Sequence, residues 1–154
     1  MILEKGLRKT EHPLLLATIA KEKIDALDRT HLKIFTDGSI GEDGQVGCAF
    51  TIPDHDVCGR FKLNKGLSIF TAELYAICKA LSYADTLEDT PHGVAILSDS
   101  KSSLQALSKG GTRNRSTLQQ ETLYLAHKLI AKRFAVTLMW LPLHTGIRGN
   151  DLAD

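Results

Sequence analysis

The sequence is short of cysteine, of sustained apolar runs and of net charge. Its three cysteines, Cys48, Cys58 and Cys78, are odd in number and lack CxxC or Cys/His zinc spacing, which argues against a disulfide framework and a zinc finger. A reducing, intracellular setting in cytoplasm or nucleus is the expectation. The longest apolar stretches, 14–20 and 94–97, stop at polar or charged residues, far below the roughly 20 residues that span a bilayer. No membrane association is expected. Lys5, Arg8 and Lys9 before the first stretch faintly imitate a signal peptide, but Glu4, Glu11, His12 and Pro13 interrupt the pattern. Nineteen basic against eighteen acidic residues leave a net charge of +1, so any nucleic-acid footprint must be local rather than a matter of bulk charge. Internal repeats and low-complexity tracts are also lacking.

What is present suits one globular domain. The 154 residues are 43% hydrophobic and 24% charged, average usage for a chain able to bury a sizeable core. Residues 1–30 read as an N-terminal linker or short amphipathic helix, and a domain is expected over 31–154. Leu32–Thr36 is strand-like and is expected to halt at Asp37-Gly38-Ser39, which has turn composition. Val46–Ile52 and Val57–Leu63, separated by Pro53-Asp54-His55-Asp56, predict an antiparallel hairpin. Ser68 is placed to cap a helix from Ile69 to about Ala84. Val94–Leu97 reads as a central strand covered on both faces, and Ser98-Asp99-Ser100 ends it and begins a helix through Leu107. Gly110-Gly111-Thr112 would break that helix. Ser116–Arg133 predicts a further amphipathic helix and Phe134–Trp140 a last strand. The class is α/β, a mixed sheet flanked by helices.

Asp37 and Asp99 each follow a predicted strand, and if those strands are parallel neighbours the two carboxylates meet at one sheet edge, where open α/β sheets place ligands. Glu73 lies on the inward face of its helix, between Ala72 and Ala76. A buried carboxylate needs a cation or donors to stay ionised, and a metal would satisfy it. Each residue also has a plain structural reading: Asp37 as a turn residue, Asp99 as a helix cap, Glu73 as a first-turn partner of the helix dipole.

The segment Trp140-Leu141-Pro142-Leu143-His144-Thr145-Gly146-Ile147-Arg148-Gly149-Asn150-Asp151-Leu152-Ala153-Asp154 carries more information. Taken with Thr36-Asp37-Gly38-Ser39, Thr71-Ala72-Glu73-Leu74 and Ser98-Asp99-Ser100, it resembles the type 1 ribonuclease H family over about residues 31–154. More narrowly, it is similar to the ribonuclease H domain of non-LTR retrotransposon reverse transcriptases. The resemblance implies a ribonuclease H-like fold with a five-stranded mixed sheet in the order 3-2-1-4-5, and a final helix truncated at Asp154. It implies four metal ligands, Asp37, Glu73, Asp99 and Asp154, with His144 assisting proton transfer or product release. Asp151 is set aside because it lies seven residues beyond His144 rather than ten.

The implied activity is metal-dependent endonucleolytic hydrolysis of the RNA strand of RNA/DNA hybrids. Hard carboxylate oxygens suit two Mg²⁺ ions, with Mn²⁺ as an alternative. Gly38, Ser39, Ser100, Arg113, Arg148 and Asn150 are the candidate substrate contacts, and Lys101, Lys109 and Arg115 add positive charge near the same loops. Lys128, Lys132 and Arg133 read as a solvated helix face. Many members have polar, Asn-containing residues before the helical glutamate, whereas this chain has Ile69-Phe70-Thr71, so minor-groove contacts there do not carry over. The expected partner is the hybrid itself, with an upstream reverse transcriptase domain if the segment belongs to a polyprotein; a monomer is expected. Two alternatives stand beside the nuclease: a catalytically impaired nucleic-acid-binding remnant, and another nuclease or transposase of the same superfold.

Overall fold

The structure is a computed structural model that describes residues 2–3, 21–27, 31–88, 92–109, 115–132 and 134–142. In chain order the elements are β1 (Ile2–Leu3), α1 (residues 21–26), β2 (His31–Ile40), β3 (Val46–Ile52), a 3₁₀ turn (Pro53–His55), β4 (Val57–Leu63), α2 (Ile69–Asp85), β5 (Gly93–Ser98), α3 (Lys101–Ser108), α4 (Thr117–Ala131) and β6 (Ala135–Trp140).

They form one sheet in the order β1-β6-β5-β2-β3-β4. With the five long strands numbered in sequence, this is the expected 3-2-1-4-5. The pair β1–β6 is an addition, because Ile2 and Leu3 lie parallel to Thr137 and Leu138 at the sheet's outer edge. Two residues carry no periodicity, so nothing in the sequence marks them as a strand. β2 pairs antiparallel with β3 and parallel with β5, and β5 pairs parallel with β6. The hairpin β3–β4 holds the expected limits, with the left-handed Asp56 (φ 52°) closing its turn.

Alternation along the strands divides the core between the two faces of the sheet. Leu32, Ile34, Val94, Ile96, Val136, Leu138 and Trp140 join Leu74, Ile77, Leu81, Leu104 and Leu129 in the main core under α2, α3 and α4. Phe35, Ala95, Leu97, Met139 and Leu141 form a smaller core, against which Ile24 and Leu27 pack. Every residue of β5 is buried, as expected of a strand covered on both sides. Ala72, Ala76, Ala80 and Ala84 are all buried along α2. Side chains this small let the helix axis lie close to the sheet.

The helix starts follow capping chemistry. Ser68, Ser100 and Ser116 each accept a hydrogen bond from the backbone N–H three residues on, satisfying one of the orphan donors of the first turn. Two expectations change here. Ser100, not Asp99, is the cap of α3, which begins at Lys101. β2 does not halt at Asp37 but continues to Ile40, because Asp37, Gly38, Ser39 and Ile40 pair with Ala49, Cys48, Gly47 and Val46. Cross-strand pairing overrides the local turn preference of Asp-Gly-Ser. The predicted break at 110–112 and the expected final helix lie outside the described residues.

Candidate metal centre and nucleic-acid interface

The parallel ladder between β2 and β5 ends at the Thr36–Ser98 pair. Asp37, within β2, and Asp99, just past the end of β5, are the next residues along the chain, which brings them to one level at the carboxyl edge of the parallel pair. The backbone is anchored from several directions. Thr36 Oγ1 donates to the Leu97 carbonyl at 3.2 Å, the Leu141 N–H to the Ser98 carbonyl at 2.8 Å, and the Ser100 N–H to Ser98 Oγ at 3.1 Å. The indole Nε1–H of Trp140 donates to the carbonyl of Asp99 itself at 3.0 Å.

Glu73 arrives from the other layer. It is the fifth residue of α2, outside the first turn, and is only 5% exposed. The helix reaches the site because Gly38 lets it. A Cβ at that position would lie 2.6 Å from the Glu73 nitrogen and 2.8 Å from the Ala72 carbonyl carbon, inside any tolerable contact. Gly38 therefore serves close approach between strand and helix, not a turn.

Asp37, Glu73 and Asp99 each offer a carboxylate oxygen within 4.8 Å of the others, and all three are buried. Burial above all, then the negative charge of Asp99, pushes the Glu73 carboxyl up to about 8, with a backbone hydrogen bond from Gly38 opposing the shift. Among the described residues, Glu73 Oε2 has no hydrogen-bond partner. An orphaned buried oxygen beside two further carboxylates is a donor set that suits a hard divalent cation. The arrangement removes the turn and cap readings of Asp37 and Asp99 and the first-turn reading of Glu73.

Of the other predicted site residues, Gly38 and Ser39 follow Asp37 on β2, with Ser39 exposed. Ser100 is half-buried, and its hydroxyl, besides capping α3, lies 2.7 Å from Ser103 Oγ. The Lys101 ammonium sits 5.6 Å from the centre of the Trp140 ring, close to the carboxylate edge. The Arg115 guanidinium donates to the Lys109 carbonyl. Lys128 and Lys132 form ion pairs with Asp85 at 2.9 and 2.6 Å, a solvated helix face as expected. His144, Asp154, Arg113, Arg148 and Asn150 lie outside the described residues, as does Arg133. Cys48 and Cys78 are buried with thiols raised above their ordinary range by burial, whereas Cys58 is exposed on β4.

A cleft of about 550 Å³ opens beside Asp37, lined by Ser39, Gly47, Ala49, Arg60 and Lys62 among others. Arg60 and Lys62 are not among the cations that the sequence reading singles out. Their signal is the exposed alternation Cys58, Arg60, Lys62 along β4.

No helix among the described residues is long and apolar enough to cross a membrane. Compared with known protein families, the chain matches the RNase H family model over residues 29–154.

Proposed function

The chain belongs to the RNase H family, and from that premise we propose that it is a metal-dependent endonuclease that hydrolyses the RNA strand of RNA/DNA hybrids. The observation that carries this reading is the buried trio Asp37, Glu73 and Asp99 with the unpartnered Glu73 oxygen. These carboxylates are the ligands for divalent ions, Mg²⁺ in the first instance, with Asp154 as a fourth ligand. When bound, such ions stabilise the attacking and leaving oxygens of an in-line phosphoryl displacement.

The protein's own contribution is placement. The end of the β2–β5 ladder holds Asp37 and Asp99 at one level, and α2 supplies Glu73 from above the sheet. His144 moves the proton at the leaving oxygen. Ser39 and the backbone of Gly38 distinguish RNA from DNA through the 2′-hydroxyl, and Ser100, Arg113, Arg148 and Asn150 complete the hybrid contacts. In its motif set the chain is of the non-LTR retrotransposon type, acting inside the cell as a monomer, with a reverse transcriptase domain as its upstream partner.

The test is cleavage of an end-labelled RNA/DNA hybrid with Mg²⁺, run beside EDTA, duplex DNA, duplex RNA and Asp99→Asn. Cutting confined to the RNA strand of the hybrid, and lost with EDTA and with Asp99→Asn, is the expected result. A folded chain that binds the hybrid without cutting it overturns the nuclease reading in favour of a binding remnant.

A further inference from the structure

The cleft beside Asp37 lies on the sheet face opposite α2. On β4, Phe61 packs toward the main core, so its exposed neighbours Arg60 and Lys62 point to the other side. Two cross-strand rungs span the cleft: Asp37 faces Ala49, which faces Arg60, and Ser39 faces Gly47, which faces Lys62. Adjacent strands are about 4.8 Å apart, so each rung runs about 10 Å from the carboxylate side to a cation. The middle strand supplies only a methyl group and a hydrogen, making a low floor. At Gly47 a Cβ would lie 3.3 Å from the Phe61 carbonyl and 3.5 Å from Ser39 Oγ, crowding that floor. Among the described residues, neither Arg60 nor Lys62 makes an ion pair, and Asp37 is the only acid in the two rungs.

We infer that this groove seats the backbone of the RNA strand next to the cleaved phosphate, with Arg60 and Lys62 binding the following phosphates. The inference rests on the hybrid-nuclease reading and extends it to residues outside the metal site. A strand whose phosphate reaches the carboxylate trio must leave the site across a neighbouring surface. This surface begins at Asp37, has a low floor, and ends in Arg60 and Lys62, which make no ion pair among the described residues. Such contacts position the strand without reading its sequence, and Arg60 and Lys62 are accordingly positioning residues.

The test uses the full chain in an Asp99→Asn background, where cutting does not intervene. Filter binding of a labelled RNA/DNA hybrid across a salt series compares the parent, Arg60→Ala/Lys62→Ala, and Lys128→Ala/Lys132→Ala on the outer face of α4. Losing two phosphate contacts lowers the slope of log affinity against log salt by about 2; the α4 pair leaves it unchanged. With Asp99 intact, the groove pair raises KM while kcat holds. Neutral methylphosphonates in the RNA strand beside the cut site erase the difference between parent and groove pair, and the same groups in the DNA strand do not. A parent that binds with a slope the groove pair does not alter overturns this inference alone, as does erasure only by DNA-strand neutralisation. A parent that fails to bind, together with a wild-type chain that fails to cut, overturns the nuclease reading and this inference with it.

Discussion

The ion binding proposed at the carboxylate trio is coupled to a proton on Glu73. Burial and the charge of Asp99 raise that carboxyl from its ordinary 4.5 to about 8, so at pH 7 about nine in ten molecules without an ion hold the proton, and at pH 9 about one in ten. A divalent ion takes the carboxylate form, so binding releases about 0.9 proton at pH 7 and about 0.1 at pH 9. The apparent association constant then rises close to tenfold from pH 6 to pH 7 and flattens above about pH 8. Calorimetric titration of Mg²⁺ in buffers of small and large ionisation enthalpy reads the proton count directly, and Glu73→Gln removes it. A binding heat at pH 7 that is the same in both buffers refutes the coupling. The stability of the ion-free protein carries the same linkage. The native state keeps its proton to higher pH than the unfolded chain, so the stabilisation is whole below about pH 4.5 and is lost as pH rises through about 8. Its upper bound is on the order of 5 kcal/mol, and Glu73→Gln flattens the profile in urea melts.

Gly38→Ala pushes a methyl group into the backbone of α2 and costs about 1–3 kcal/mol, with a weaker Mg²⁺ affinity because Glu73 is displaced; urea midpoints and calorimetry measure the two effects. Trp140→Phe leaves the Asp99 carbonyl without its indole donor and costs about 1–3 kcal/mol, so a denaturation midpoint within error of wild type contradicts the anchoring role. Ser68→Ala removes the cap from the helix that carries Glu73 and lowers stability by about 1 kcal/mol, whereas Ser68→Asp retains it.

Much of this arrangement was legible because it is written in local patterns. The continuous apolar run of β5, the paired runs of β3 and β4, and the serines ahead of α2 and α4 each specify their element through a few adjacent residues. Asp99 was legible for the same reason, standing just beyond a buried strand. Asp37 was found for a partly mistaken reason. Asp-Gly-Ser has the composition of a turn, yet pairing with β3 and the close approach of α2 hold it in a strand, and both are long-range effects. Neither the β1–β6 pair nor the groove was legible, since two residues show no period and the alignment of Arg60 with Asp37 depends on a register spanning three strands.

The hydrogen bond from Trp140 to Asp99 has one more consequence. Trp140 is the only tryptophan in the chain, and its buried indole lies one hydrogen bond from a carboxylate residue of the site, beneath the ammonium of Lys101. The protein thus carries its own optical probe at the place where ion and hybrid are proposed to meet. Any shift of the Asp99 backbone, or any anion that draws Lys101 off the ring, alters the emission of a single, unambiguous fluorophore.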